Sequence, residues 1–554
     1  MEIKDTLNLP ETDFPMKASL IKAEPQMLEW WAKEKIYEEI RESSKGKEKF
    51  VFHDGPPYAN GHIHMGHALN KILKDFIVKI MAMKGYDAGF IPGWDCHGLP
   101  VEHQVGKKLK EKKMSLEKSE IRKQCRSYAQ DFVSIQRDEF KRLGIFADWD
   151  NPYLTMDYSY EATIVREFGK FVEKGMVYKG LKPVHWCTSC RTALAEAEVE
   201  HADHTSPSIY VKFKIKSGIP KCMGDLGKVY MVIWTTTPWT LPANLAISLH
   251  PEFQYAAVAI KDEVLVVAEE RLSSLILEWD AKEYEILGVC KGKEWETAKC
   301  QHPFINRDSE VILGDHVTLE QGTGCVHTAP GHGQDDYIVG LKYGLEPYNP
   351  VNDGGVFRND VDHFAGMFVR KANPKIIEKL KNDGFLIHNE DIQHSYPHCW
   401  RCHQPVIFRA TNQWFISMEK EELRKNALAG IERTKWIPDW GMDRIYNMIE
   451  NRPDWCVSRQ RAWGVPITLC TCIECGELVD AKKVFERAVE GVKKHGADFW
   501  FETPIEDFIP KGTKCGKCGS EEFKKENDIL DVWFDSGVSH AAVLENNANE
   551  SWPA

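Results

Sequence analysis

The sequence predicts an α/β protein, a parallel-sheet fold interrupted by a large, mainly β insert and carrying a smaller cysteine-bounded insert. Three observations predict it. Strand, turn, amphipathic helix and strand follow one another between Lys49 and Asp95. Short β-rich runs replace that texture from about Ser206 to Asn389, and α/β texture then resumes. At 554 residues the chain is too long for one compact core, so two to four domains are expected.

Taken in order, Pro25 to Arg41 reads as a helix with Leu28, Trp31, Ile36 and Ile40 on one apolar side. "KFVFHDG", Lys49 to Gly55, is a short strand. The turn "GPPYANGHIHMGH" leads into a helix in which Leu69, Ile72, Leu73, Phe76, Ile77, Ile80 and Met83 fall at helical spacing, with Gly85 as its cap. "YDAGFIPGWD" returns as a second strand. This βαβ unit implies a parallel sheet, whose ligands bind beyond the carboxyl ends of the strands. The turn and "GWDCHG" both lie there and should face one pocket.

The insert contains "SIYVKFKI", "KVYMVIWTTT", "YAAVAI", "EVLVVAE" and "GMFVRK" as strands, punctuated by Gly, Pro and Asp turns. Near the end, "DILDVWFDSGVSH" reads as a strand and turn. The formal net charge of −12 argues against a general nucleic-acid coat. One basic run, Lys107 to Arg126, reads as a solvated helix face or loop. The N-terminus has no apolar leader region, and no run of about 18 apolar residues occurs, so an intracellular, cytoplasmic protein without a membrane partner is expected.

Sixteen cysteines in such a chain suggest reduced thiols available to a metal rather than a disulfide framework. Eight form four C-x-x-C pairs. Paired knuckles with glycine nearby, as in "CGKCGS", point to structural zinc held by four thiolates. Cys472, Cys475, Cys515 and Cys518 are expected to make one zinc-ribbon-like site, with Cys470 a spare. Cys187, Cys190, Cys399 and Cys402 are expected to make another, clamping the neck of the insert.

The histidines of "GPPYANGHIHMGH" suit phosphate better than metal. A zinc hydrolase of the H-E-x-x-H kind needs a glutamate between its histidines, and His64 and His67 flank only Met65 and Gly66. A helix N-terminus offers free N–H groups and partial positive charge to phosphate oxygens. Gly66 permits close approach, and imidazole donors can hold charge that develops on phosphorus.

These residues resemble a known family. "PPYANGHIHMGH" is similar to the first signature of class I aminoacyl-tRNA synthetases, with His64, Gly66 and His67 in an H-x-G-H element that binds ATP. "GWDCHGLPVE" narrows the resemblance to the isoleucine enzymes of bacterial type, and it extends from "LNLPETDFPMK" through "HWCTSCRTALAEAEVE", "HSYPHCWRC", "SRQRAWGVPI" and "LDVWFDSG". The resemblance implies a Rossmann-like catalytic domain and an inserted editing domain. It implies ATP-dependent activation of L-isoleucine, transfer to the tRNA for isoleucine, and hydrolysis of mischarged valyl-tRNA, by a monomer using ATP, Mg2+ and structural Zn2+. Asp95 would pair with the α-ammonium of isoleucine, and Pro56 and Trp533 would help wall its side chain.

An editing site is intelligible because a pocket for isoleucine rejects valine by only about 1 to 3 kcal/mol, a magnitude the isoleucine enzyme itself exemplifies. "WTTTPWTLPAN" and "GTGCVHTAPGHGQDD" match that domain of the family. By resemblance Asp336 takes the ammonium, His327 limits pocket size, and Thr235, Thr236, Thr237 and Asn244 position the ester.

The expected limits are a helical extension at 1–48, the first half of the nucleotide fold at 49–186, the editing insert at 187–405, and an incomplete second half at 406–554 with its own insert near 470–520. The family's lysine-rich K-M-S-K-S loop is missing. "KKMSLEKS" at Lys112 is a decoy in the wrong half of the fold, and the chain stops at "NESWPA" before the loop and the anticodon-binding region. A fragment weak in adenylation is therefore expected. A small-molecule nucleotidyltransferase would share H-x-G-H but not the insert. A valine or leucine synthetase is disfavoured by "WDCHGLPVE", and a zinc-ribbon RNA-binding scaffold leaves His64, His67 and Asp95 without a role.

Overall fold

The computed structural model describes residues 2–8, 13, 17–111, 116–224, 226–479 and 481–546. Part of "LNLPETDFPMK", Lys112–Ser115 of the decoy and the final "NESWPA" lie outside the described residues. Two compact units form, one of Met1–Gly169 with Ala462–Ala554, the other of Lys170–Arg461, a span wider at both ends than 187–405. Among the described residues no helix is long and apolar enough to cross a membrane.

In the first unit the helix expected over Pro25–Arg41 is two, α1 (Leu20–Lys33) and α2 (Ile36–Ser43). Lys35 takes a left-handed φ of 54°, which breaks the helix. Trp31 and Tyr37 still converge on Phe146, with ring centroids 5.2 and 5.9 Å away. α3 (Met65–Met83) ends on Gly85, whose φ of 97° suits glycine. There the Gly85 and Tyr86 N–H groups bond the Ala82 and Met81 carbonyls.

The apolar stripe of α3 is not its buried face. Leu69, Leu73, Phe76, Ile77, Ile80 and Met83 are exposed, whereas Lys71, Asp75 and Val78 are buried. Charge holds the helix instead. Lys71 and Lys74 both clasp Asp54, while Asp75 accepts the Phe146 N–H at 2.9 Å and Lys79 Nζ at 2.5 Å.

The strand expected at Lys49–Gly55 is reduced to parallel bridges, Lys49 to Asp87, Phe52 to Phe90 and, past the first proline, Tyr58 to Asp95. β1 (Gly93–Trp94) pairs in parallel with β2 (Tyr153–Leu154). Three adjacent parallel segments, with α3 as crossover between the first two, make the expected βαβ arrangement. α4 (Leu99–Glu111), α5 (Lys118–Arg142) and α6 (Tyr158–Glu173) follow, around a core that includes Phe90, Trp94, Val101, Phe140 and Trp463.

The basic run is divided between α4 and α5 and is only partly solvated. Arg122 is buried and donates through Nη1 to the Ala462 and Gly464 carbonyls at 2.6 and 2.9 Å. In "DILDVWFDSGVSH" the strand Ile529–Leu530 runs into a helix, Val532–Gly537, rather than a turn. Asp531 caps that helix, accepting the Trp533 N–H at 3.2 Å.

In the second unit β3 (Val177–Cys187) pairs with β4 (Thr192–Leu194). The inserted sheet is then built from β5 (Val199–Ser217), β6 (Val229–Thr235), β7 (Ala246–Leu249), β8 (Gln254–Ile260), β9 (Glu263–Ala268), β10 (Glu285–Lys291), β11 (Lys299–Gln301), β12 (Asp308–Leu313), β13 (Cys325–Thr328) and β14 (Leu386–Cys399). Because β6 pairs with both β5 and β13, strands β5, β6, β13, β7, β12 and β11 close into a ring. Closure leaves none of these six as an edge, although β10 and β14 remain terminal strands, and it encloses Val211, Phe213, Ile233, Ile247 and Val311.

α7 (Leu272–Glu278) covers Val232 and Val258 through Leu272, Leu275 and Ile276. α8 (Gln334–Lys342) and α9 (Val369–Asn382) follow β13. "GMFVRK" is not a strand but runs into α9, because Val369, Ala372, Ile376 and Leu380 are buried at helical spacing. One disulfide stands beside the reduced thiols that the cysteine count suggests. Cys222 and Cys290, with Cα atoms 6.6 Å apart, form a disulfide.

Candidate functional sites

The histidine turn of the first unit is built around the start of α3. His64 is its N-cap in extended conformation, and its Nδ1 accepts the Gly66 N–H at 3.0 Å. The His64 N–H donates to His67 Nδ1 at 3.3 Å, and the rings stack with centroids 3.9 Å apart. Both Nδ1 atoms therefore accept, which assigns the remaining proton of each neutral ring to Nε2. Burial, with His64 and Lys71 nearby, holds the His67 ring below the usual imidazole pKa. Two Nε2–H donors thus accompany the free N–H groups of the helix start, an arrangement suited to phosphate oxygens.

His62, to which the sequence assigns no role, anchors this turn. Its Nδ1 lies 2.5 Å from Glu139 Oε1, and Glu139 Oε2 accepts the Ile63 N–H at 2.9 Å. Gln136 adds a second tie, donating to the Tyr58 and Gly61 carbonyls at 3.1 and 2.8 Å while accepting from Trp94 Nε1. Glu139, Gln136 and Asp54 escape a reading by motif, because they act from distant positions or beneath the turn.

Asp95 lies beside the same turn. Its backbone N–H bonds the Pro57 carbonyl and its own carbonyl accepts the Ala59 N–H, both at 2.8 Å. Its buried Oδ2 accepts Ser536 Oγ at 2.5 Å, while Oδ1 has no partner among the described residues. Burial raises its carboxyl well above the usual range, with Asp535 adding to the effect and Ser536 and His97 opposing it. An unpartnered buried carboxylate oxygen is what an ammonium group would satisfy.

Behind Asp95, His97 bridges Asp535 (Nδ1, 2.9 Å) and Glu161 (Nε2, 3.2 Å), fixing the segments that carry Asp95 and Ser536. Trp533 is 41% exposed, and its ring meets Tyr58 edge to face at 6.5 Å. Pro56 is half-buried, immediately before the Pro57 carbonyl that ties Asp95.

In the second unit Thr235, Thr236, Thr237, His327 and Asp336 line one cavity of about 420 Å³. Asn244 does not line it. Asn244 is fully buried and donates through Nδ2 to the Ala246 carbonyl and to His327 Nδ1, at 2.9 and 2.8 Å. His327 then carries its proton on Nε2, 2.9 Å from Thr240 Oγ1. Thr240, present in the quoted motif but unassigned by it, is thus the other support of this ring. Burial pushes the His327 pKa down to about 3, so the ring is neutral.

Asp336 stands in the first turn of α8, where its Oδ2 accepts the Ala329 N–H at 2.9 Å and Oδ1 has no partner among the described residues. Burial raises its carboxyl to about 6. The cavity therefore offers hydroxyls, a neutral imidazole and one half-satisfied carboxylate.

Both expected thiol sets assemble. The sulfurs of Cys187, Cys190, Cys399 and Cys402 lie within 4.8 Å of one another, as do those of Cys472, Cys475, Cys515 and Cys518. Representative separations are 3.4 Å for Cys187 to Cys402 and 3.5 Å for Cys472 to Cys518. Thiolates around a tetrahedral zinc at about 2.3 Å would stand roughly 3.8 Å apart, so both sets fit that ion. Cys470 stays outside the second set, buried, with its thiol pushed up to about 12.

Residues 26–553 match the family described as tRNA synthetases class I (I, L, M and V). Over its full length the chain is 56% identical to the isoleucine–tRNA ligase of Syntrophotalea carbinolica and 55% identical to that of Geobacter sulfurreducens, covering 60% of each. The chain thus spans about 60% of the length of these curated relatives. Among solved structures, a ternary complex of Agrobacterium radiobacter K84 LeuRS, tRNA and LeuAMS aligns at a TM-score of 0.37 and 16% identity. That alignment covers 94% of this chain and 59% of that one, a likeness too distant to bear on either site.

Proposed function

Because the chain belongs to the class I tRNA synthetases of the isoleucine, leucine, methionine and valine group, we propose that it is the synthetic and editing portion of an isoleucine–tRNA ligase. The activity is ATP-dependent activation of L-isoleucine and its transfer to the tRNA for isoleucine, with hydrolysis of mischarged valyl-tRNA. The observation that carries this reading is the unpartnered Asp95 Oδ1 next to the His64–His67 helix start, an ammonium acceptor beside a phosphate cradle.

The isoleucine carboxylate attacks the α-phosphorus of ATP and pyrophosphate leaves. The Nε2–H groups of His64 and His67 and the start of α3 hold the charge that develops, while Asp95 fixes the ammonium and Pro56 and Trp533 flank the side chain. Mg2+ would neutralise charge on the phosphates, and Zn2+ held by Cys187, Cys190, Cys399 and Cys402 and by Cys472, Cys475, Cys515 and Cys518 would be structural. The aminoacyl group then passes to a ribose hydroxyl of the tRNA. In the threonine-lined cavity, Asp336 takes the ammonium of a valyl ester, Thr235 to Thr237 orient the ribose and water, and Asn244 acts through His327, which limits the size of the side chain accepted.

The protein works in the cytoplasm as a monomer. The decisive experiment compares deacylation of Val-tRNA and Ile-tRNA of the isoleucine acceptor. Hydrolysis of the valyl ester alone supports the reading; hydrolysis of both or neither overturns it.

A further inference from the structure

A cavity of about 450 Å³ in the first unit belongs to neither candidate site. α1 and α2 line one side of it through Trp31, Tyr37 and Arg41, and the last turns of α3 line another through Val78, Lys79 and Met83. Its aromatic wall is a cluster in which Phe146 takes the edges of Trp31 and Tyr37. Its lining charge is cationic: Arg41, Lys47 and Lys79 line it and, among the described residues, no carboxylate does, while Asp87, Asp148 and Glu38 act on Tyr37 from outside the lining.

The three cations differ in what is left to offer. Lys79 is committed, with Nζ 2.5 Å from Asp75 and 4.3 Å from the Phe146 centroid. Arg41 spends Nη2 on Asp87 at 2.7 Å, but its buried Nη1 has no hydrogen-bond partner among the described residues. Lys47 is exposed at the rim and forms no ion pair among the described residues. The Tyr37 hydroxyl likewise makes no hydrogen bond there, and burial lifts its pKa to about 12, so it remains a donor. Unpaired donors and a free cation around aromatic walls call for an acceptor attached to a flat apolar body.

We propose that this cavity is a binding site for a planar aromatic monoanion, a ring system carrying a carboxylate or sulfonate. The ring packs against the aromatic cluster and the anion meets Tyr37 Oη and Lys47, with the Arg41 guanidinium behind them adding positive charge.

Fluorescence titration of the 554-residue protein with 8-anilinonaphthalene-1-sulfonate, against uncharged N-phenyl-1-naphthylamine, tests this. Saturable binding at one site is expected, with the sulfonate tighter by about tenfold or more. Lys47→Glu, at an exposed position, should weaken the sulfonate about tenfold and leave the neutral probe unchanged. Ala82→Phe fills the cavity and should abolish both, and Ser43→Trp at the exposed rim should do the same without touching the interior. Equal affinity for the two probes, binding indifferent to Lys47→Glu and Ser43→Trp, or no saturable site would overturn the proposal. Such results would mark the probe as lying elsewhere, as on the exposed apolar stripe of α3.

Discussion

The His64 and His67 imidazoles stack with centroids 3.9 Å apart, and the closeness of that stack depends on the residue between them having no side chain. A Cβ on Gly66 would stand 2.9 Å from His64 Cε1 and 3.0 Å from its Nδ1, inside any ordinary contact. His64 is exposed, so Gly66→Ala should swing the ring away at small cost to the fold. The expected result is a thermal midpoint close to that of the parent with at least about tenfold weaker binding of a non-hydrolysable ATP analogue. Unchanged nucleotide affinity would remove the cradle from the proposed mechanism.

Asp95 separates binding from folding in the same way. Its carboxyl is held well above the usual range, so the buried ionised form disfavours the folded state, and Asp95→Asn should be neutral or stabilising near pH 7. Isoleucine, in contrast, loses its charge partner, a change worth roughly 3 kcal/mol or about 100-fold in affinity. Calorimetric titration should also find the parent's affinity rising with pH as Asp95 ionises. A pH-independent affinity, or full affinity in the Asn variant, would refute the ammonium assignment.

What could be read in the chain was local. The spacing within C-x-x-C pairs directly expresses how two thiols reach one ion, and the apolar spacing of Met65–Met83 directly expresses a helix. Which face that helix buries is decided by Asp54 and Phe146, neither of which belongs to the pattern, so the spacing gives the helix and not its buried side. Asn244 and His327 are 83 positions apart, and only the closed ring of strands brings them to 2.8 Å. That pairing, and hence the indirect part Asn244 plays, has no signal in a single sequence.

The pH dependence of editing should isolate Asp336. The proposed ammonium contact needs its carboxylate, and burial places its pKa at about 6, so valyl-tRNA deacylation should rise as pH increases through about 6. His327, at about 3, adds no inflection in that range. Asp336→Asn should abolish the inflection and most of the activity, and a persistent inflection would mean that another group takes the ammonium.

Zinc occupancy makes a separate prediction. Metal analysis of the purified protein should find two zinc ions per chain, falling to one in Cys475→Ser, with a lowered melting temperature. Protein free of zinc yet fully folded would dismiss both sets as metal sites.

Acid should weaken the second unit through its buried histidines. Burial holds His185 and His332 at about 4 and His302 and His327 at about 3, all below the ordinary 6.5. Between about pH 6.5 and 4 the unfolded chain therefore binds these protons and the folded one does not, so stability is full above 6.5 and is lost as pH falls. Each imidazole contributes about 1.4 kcal/mol per pH unit where the two states differ by a whole proton. Asp336 acts in the opposite sense, since its raised pKa lets the folded state keep a proton between about 3.8 and 6. Four imidazoles outweigh the one carboxyl, so stability should fall as pH drops through about 5, to be measured by urea unfolding at closely spaced pH values. His302→Gln should flatten the slope by about one proton. A stability unchanged from pH 7.5 to 5 would contradict the neutral, buried state of all four rings.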